Sequence, residues 1–492
     1  MKQLYQYLTC VILVLHFNTT NAQVTKITAP DFNVEDCFGW SVSINGNYAV
    51  IGNVYDDDND IQSGSVYVYY FDGEAWVEQE KLIASDGGFA DYFGYAVSVY
   101  DDQIVTGAYR DVVGSVRSGS AYVYQRNGDE WIETARLTPY DPEEEDRFGA
   151  KVDIHGNYAA VASYWDDDQG ASSGAVYIYK KTENNWNFHQ KLVPADLLAN
   201  DLFGTSVFLN NNNLFVGAIG NSTYATNSGK VYVYDLVDGS WVLVQELYPE
   251  DPIIGQHFGQ DISTTENYLI IGAYNDGEQG DKSGAVYVFE ATNNGWIQSQ
   301  KLLPDDGHAG AFFGNSVSIY QNNLLIASLY NITGHGESGS IYIYSLDDNN
   351  WIQTSKIVPS DGHNQQRFGA DVGLWENNAL CGAPYDEEMG YRCGAGYIFD
   401  LDIILYQDDK QPISRQLTIF PNPSAGYTIF QSSGLQMPLV IEVLDMHGSV
   451  LRNFATDTPA INIFTTGIPS GVYYIRVNSI DGSKITRKLV IL

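Results

Sequence analysis

Cysteine (4), methionine (4) and proline (15) are scarce in this chain of 492 residues, and 25 Lys and Arg face 61 Asp and Glu. The shortage of positive charge, net −36, excludes nucleic acid and anionic lipid as main partners, because phosphates are bound by clustered Lys and Arg. No cysteine pair is spaced for zinc, and His-Glu-x-x-His, Gly-x-Ser-x-Gly and phosphate-cradling loops are all absent. Beyond the N-terminus no stretch approaches the roughly 18 to 20 apolar residues that span a bilayer, so no transmembrane segment is expected in the mature chain. What the chain has instead is 44% apolar and 13% aromatic residues, with 47 Gly and 36 Tyr. That composition fits many short strands joined by tight turns.

Residues 1–22 read as a signal peptide: Lys2, an apolar run from Leu8 to Phe17, and a small residue, Ala22, before Gln23. From Gln23 onwards the chain repeats. Phe-Gly pairs stand at Phe38, Phe93, Phe148, Phe203, Phe258, Phe313 and Phe368, a constant step of 55 residues. The same register carries Gly64 and Tyr67 through Gly394 and Tyr397, and Trp76 through Trp351. Within a unit, Trp40–Ile44, Tyr48–Gly52, Ser65–Tyr69 and Trp76–Leu82 read as four strands, with Asn45-Gly46 and Asp72-Gly73 as hairpin turns. A third strand apolar on both faces must be covered on both, and a fourth bearing Glu78, Gln79, Glu80 and Lys81 suits a protected edge. Sheets arranged radially meet both demands, so the expected fold is all-β: a seven-bladed β-propeller of four-stranded blades over residues 23–405. Each unit ends on a Lys-Leu-x-Pro-x-Asp-like segment, but the seventh lacks one; Lys26-Ile-Thr-Ala-Pro-Asp31 has the right register to supply it. Residues 23–28 are thus expected to close the last blade, with Leu401–Leu405 as the rival strand.

The Phe-Gly and Gly-Ala pairs followed by Ser-Gly-x-Val-Tyr-Val-Tyr resemble FG-GAP repeats, the unit of the integrin α-subunit propeller and of many bacterial surface proteins. The resemblance independently implies seven blades. Acidity is confined to this part: residues 407–492 contain only 6 of the 61 carboxylates. After a polar linker, 406–416, the blocks Ile419–Pro423, Ile441–Asp445, Gly471–Ile475 and Lys488–Leu492 read as a small C-terminal β-sandwich over 417–492. They resemble the C-terminal sorting domain of type IX secretion cargo in Bacteroidetes. This implies export to the cell surface or medium, with the type IX machinery as a partner.

Asp31, Asp86, Asp141, Asp196, Asp251, Asp306 and Asp361 fill one repeat position, and turn caps accepting backbone N–H groups are their expected role. Similar propellers bind Ca²⁺ in the loop after the second strand through alternating carboxylates. Here Asp56, Asp58 and Asp60 fit that spacing, Asp166 and Asp168 partly so, and Asp276 with Glu278 or Asp386 with Glu388 less well. Ca²⁺ is therefore the candidate cofactor. Cys381 and Cys393 flank one loop of the seventh unit and are a candidate disulfide, leaving Cys37 over. Tyr55, Trp165, Tyr330 and Tyr385 share a loop position held elsewhere by Arg110, Gly220 and Asn275, so the repeat does not require an aromatic there. They are candidate ligand-rim residues. The expected function is an exported, non-catalytic adhesion or binding propeller for a protein or glycan ligand. The alternatives are a polysaccharide hydrolase or lyase with carboxylates in the central channel, and a structural surface-layer component.

Overall fold

The computed structural model describes residues 24–183 and 185–401, and, of the C-terminal segment, 416–420, 424, 426–433, 438–445, 449–458, 460–479 and 484–491. The signal peptide, the linker except Gln416, and all of the rival strand but Leu401 lie outside these residues. By its contacts the chain divides into two compact units at Tyr406/Gln407.

The first unit holds seven four-stranded antiparallel sheets, one per repeat, with no helix among the described residues. The N-terminal strand β1 (Thr25–Ile27) is followed by β2 (Phe38–Asn45), β3 (Tyr48–Asn53), β4 (Ser65–Phe71) and β5 (Trp76–Leu82), which form the first sheet in the order β2-β3-β4-β5. The next five repeats follow the same order. In the seventh, β1 supplies the fourth strand, with Lys26 opposite Tyr397 and Ile27 opposite Gly396. Each first strand packs on the first strand of the next sheet, and that of the seventh packs on β2, so the succession returns to its start.

Two glycines per repeat explain how closely the sheets approach. Gly64 (φ +85°) opens the third strand and bridges Phe93 of the next sheet; a Cβ there would sit 2.0 Å from the Phe93 carbonyl oxygen. Gly39 (φ +89°) meets Ala395 of the seventh sheet at 2.3 Å in the same sense. Only glycine permits backbone to lie on backbone at these joints. Above each joint the Phe of the Phe-Gly pair meets the Tyr of the third strand edge-on, as in Phe38–Tyr67 at 5.3 Å and Phe148–Tyr177 at 5.2 Å, and both rings are fully buried. In the six sheets whose outer strand belongs to the same repeat, a bulge shifts the register between third and outer strands, for example at Val68/Tyr69. It adds twist at the periphery, where neighbouring sheets diverge.

The second unit has two sheets. One joins Gln416–Phe420, Tyr427–Ser433 and Ala460–Phe464; the other joins Val450–Thr456, Leu439–Leu444, Gly471–Ser479 and Lys484–Ile491. Ile463 from the first buries against Leu439, Ile441, Ile475 and Leu489 of the second.

The joints predict a sharp contrast. Gly119→Ala would place a Cβ 2.1 Å from the Phe148 carbonyl at φ +91°, and is expected to lower the unfolding free energy by about 3 kcal/mol. Gly46→Ala, at φ +58° with nothing within 4 Å, is expected to cost about 1 kcal/mol. Urea unfolding followed by tryptophan fluorescence separates the two.

Candidate functional site

The repeated aspartates sit at the junctions between sheets, and their partners are side chains rather than the backbone caps expected of them. Tyr122 Oη donates to Asp86 at 2.8 Å, Tyr177 to Asp141 at 2.8 Å and Tyr287 to Asp251 at 2.7 Å, each reaching from one sheet to the end of the preceding outer strand. A cation completes the cluster. Lys81 Nζ lies 2.7 Å from Asp31, 2.8 Å from Asp56 and 2.6 Å from Asp58. Lys191 similarly joins Asp141, Asp166 and Asp168 at 3.0, 2.8 and 2.7 Å. Arg136, Lys301, Lys356 and Lys26 take the same place in repeats 2, 5, 6 and 7. In the fourth repeat that position is Glu246, and the positive charge comes from Lys230 on the neighbouring strand, fully buried against Asp196 (2.5 Å) and Glu246 (2.8 Å). Burial opposes charge on Lys81, but its hydrogen bonds to Asp31, Asp56 and Asp58 outweigh that and raise its pKa.

These contacts decide how the candidate calcium ligands are used. Asp31, Asp56 and Asp58 are close enough together to hold a metal. The oxygens that would face the ion instead face an ammonium group already bonded to all three carboxylates. Asp60 points away and accepts from the Ile61 N–H. Asp166 and Asp168 are likewise bridged by Lys191, Asp276 and Glu278 by Lys301, and Asp386 and Glu388 by Lys26. The donor sets present therefore do not fit a resident divalent ion while these cations remain.

The candidate disulfide is not formed, and Cys37, Cys381 and Cys393 are all buried free thiols. Cys381 stands opposite Tyr397 in the register, four residues beyond Cys393, so the two are separated by about 13 Å along the strand, well past disulfide reach. The Cys381 Sγ instead accepts from the Gly369 N–H at 3.1 Å.

The first strands line a central cavity of about 650 Å³ to which all seven repeats contribute. Their free edges are capped by side chains of the preceding sheet: Ser41 accepts from Val97 N–H, Ser43 from Val99, Asp153 from Leu209, Asp261 from Val317, and Asp371 from Val42. Burial pushes Asp153 and Asp261 up to about 6. These carboxylates were not singled out from the sequence; the signal was two columns, one reading Ser, Ala, Lys, Ser, Asp, Ser, Asp from Ser41 to Asp371 and one reading Ser, Ser, Asp, Phe, Ser, Ser, Gly from Ser43 to Gly373. Asp371 also accepts from Ser41 Oγ, Ser316 Oγ and the Val372 N–H, so donors from three repeats converge on it.

At one mouth lies a depression of about 270 Å³ walled by Trp40, Tyr95, Tyr164 and Arg367, with Asp261, Asp371 and Lys151 below. Around it the candidate rim aromatics join a larger belt. Tyr55 touches Trp40 (5.9 Å) and Tyr92 (5.1 Å), and Tyr92 touches Tyr109 (5.5 Å). Tyr330 packs on Phe312 at 5.4 Å. Trp165 is stacked beneath the Arg147 guanidinium at 3.2 Å and keeps 36% exposure, while Tyr385 lies between Arg367 (4.0 Å) and Arg392 (4.3 Å). The residue before each Phe-Gly pair (Cys37, Tyr92, Arg147, Leu202, His257, Phe312, Arg367) is left-handed, with φ of 55–61° throughout. This column, variable and aimed by a fixed backbone, was also missed; its adjacency to the invariant Phe was the available cue. The fourth repeat, with Leu202, Ile219 and Gly220, interrupts the belt.

Seven such sheets define a β-propeller-like fold. The chain belongs to the FG-GAP repeat family, whose model matches residues 22–69, 76–124, 131–179, 186–234, 241–289, 296–344 and 351–399. A secretion system C-terminal sorting domain matches 418–492, which marks the protein as type IX cargo delivered to the cell surface or medium. No curated protein matches the chain. Among solved structures it is similar to PorZ, described as an essential bacterial surface component of the type IX secretion system of Porphyromonas gingivalis, at 13% identity and a TM-score of 0.46 over 95% of this chain. The chain spans 61% of that structure's length.

Two measurements probe the junctions. Lys81→Met strips the cation from three carboxylates and is expected to cost about 2 kcal/mol. Millimolar Ca²⁺ should then raise the melting temperature of the variant while leaving the parent unchanged. The second concerns Asp146, pushed up to about 7 by burial and by the nearby Asp166 charge, where repeats 5 and 7 carry Gln256 and Gln366. A carboxyl whose folded pKa exceeds its ordinary 3.8 stabilises the fold when protonated, and that contribution is lost as pH rises through 7. Asp146→Asn is therefore expected to add on the order of 1 kcal/mol at pH 8 and nothing at pH 4, read from urea midpoints at the two pH values.

Proposed function

We propose that the seven sheets form a closed seven-bladed β-propeller and that the protein is a non-catalytic binding module, acting at the cell surface or in the medium on a protein or glycan ligand. The observation that carries this reading is the aromatic and arginine belt around one mouth. It occupies positions that the repeat leaves free to vary, yet six of seven repeats contribute rings or cations to it. Rigid rings with polar edges bind at low entropic cost. The non-catalytic part is supported by the cavity carboxylates, whose oxygens accept from strand N–H groups and serine hydroxyls. The sorting domain supports the type IX machinery as a transient partner during export. A resident calcium ion forms no part of the reading.

The full chain, screened on a glycan array and against purified surface proteins, is expected to bind through this mouth. Trp165→Ala and Tyr385→Ala should each weaken the ligand about tenfold without moving the melting temperature. Trp375→Ala at the opposite mouth should leave binding unchanged. Binding that maps to Trp375, or turnover of a polysaccharide by the purified protein, would overturn the reading.

A further inference from the structure

Positive charge is scarce in this protein, and seven of the 17 Lys and Arg in the repeats are committed to the junctions between sheets. At each of the seven junctions one Lys or Arg is bonded to carboxylates at 3.0 Å or less. Four arginines are used differently. Arg110, Arg147, Arg367 and Arg392 form no ion pair among the described residues and lie instead on the faces of Tyr92, Trp165 and Tyr385. Only Arg147 has a side-chain hydrogen bond, to Tyr164 Oη at 3.2 Å. All four belong to repeats 7, 2 and 3 and flank the Trp40–Tyr55 contact of repeat 1, at the mouth already described.

The Nε of Arg110, Arg147 and Arg367 is buried without a hydrogen-bond partner, so the edge that each face-stacked guanidinium offers a ligand is its terminal Nη pair. That edge matches a carboxylate in two parallel hydrogen bonds, and the ring beneath fixes its direction and removes water from one side. Four such edges, with aromatic faces between them, form an open path from repeat 7 across repeat 1 to repeat 3. The depression beside this path has Lys151, Asp261 and Asp371 below its walls, two carboxylates against one cation, so its floor favours an anion less than the arginine rim does. An anionic ligand is thereby held on the rim, along the rings. We infer that the ligand is an acidic polysaccharide, its sugar carboxylates taken by Arg147, Arg367 and their two neighbours and its pyranose faces laid on the rim aromatics. This inference rests on the binding function proposed above and names the chemistry of its ligand.

The test titrates the full-length protein calorimetrically with an oligogalacturonate, with the same oligosaccharide fully methyl-esterified, and with polyglutamate. The expected result is binding to the acid form, at least tenfold weaker binding to the ester and to polyglutamate, and loss of affinity as salt rises from 50 to 500 mM. Arg147→Gln and Arg367→Gln should each weaken binding about tenfold, as expected for one charge-assisted pair. Arg126→Gln, on a hairpin outside this mouth, should not. The ester comparison needs no variant, so it remains decisive even if a substitution disturbs folding. Equal affinity for ester and acid, or preference for polyglutamate, overturns the inference while leaving a binding propeller intact. No binding to any of the three, with ligands also absent from the array, removes both.

Discussion

Everything in the repeat unit depends on one electrostatic arrangement: a fixed cation at each junction between sheets. Asp31, Asp56 and Asp58 lie close enough together to bind a metal, and similar clusters recur at other junctions between sheets. Without a positive charge among them, such clusters would repel, and in a chain of net −36 no diffuse field would compensate. The fourth repeat shows that charge, not position, is the constraint. There the usual lysine has become Glu246, and Lys230 supplies the ammonium from a position held elsewhere by Ser65, Ser120 and Ala175. A mobile divalent ion would neutralise the same carboxylates but could be removed by dilution or chelation; a lysine is tethered to the chain.

The second demand is set by sheet edges. Stacked four-stranded sheets leave two rows of unpaired backbone groups each, and both rows are met by neighbouring side chains. Inside, Ser41 and Asp371 types reach one sheet onward to a strand N–H. Outside, Gln190 pairs with both the N–H and the C=O of Trp241, and Gln245 does the same for Trp296. The outer strand expected to be a merely charge-protected edge is thus stapled to its neighbour. These bonds join neighbouring sheets that share only the connecting loop and isolated backbone bridges such as Gly64–Phe93.

What the sequence made legible follows from this regularity. A step of 55 residues without insertion shows the number of sheets, and the register of Lys26–Asp31 points to the strand that pairs with Ala395–Asp400. The use of the loop carboxylates was not legible, because Lys81 lies 25 positions from Asp56 and reads as an edge charge until the sheet brings them together. Cys381 and Cys393 misled for a related reason: flanking one loop in sequence does not set register, and Cys381 is paired with Tyr397. The rim was half legible. Tyr55, Trp165, Tyr330 and Tyr385 stand out as non-required aromatics, but Arg147 and Arg367 are in a different column, and only the left-handed backbone at that column turns them onto those rings.

Separating scaffold from rim also fixes how an anionic ligand can be recognised at all. Lysines that neutralise junction carboxylates contribute nothing outward, so the protein as a whole repels anions beyond about 8 Å in physiological salt, the Debye length. Attraction must then be local and short-ranged. Arginines stacked on rings supply that, because one face is already desolvated and the planar edge binds only a partner of matching geometry. Long-range repulsion with short-range, geometry-dependent attraction disfavours loose capture of arbitrary polyanions and favours a chain that can place several carboxylates in register along the mouth. The interruption at Leu202, Ile219 and Gly220 ends that path at the fourth repeat, so a ligand bound along it would be selected by length as well as by charge.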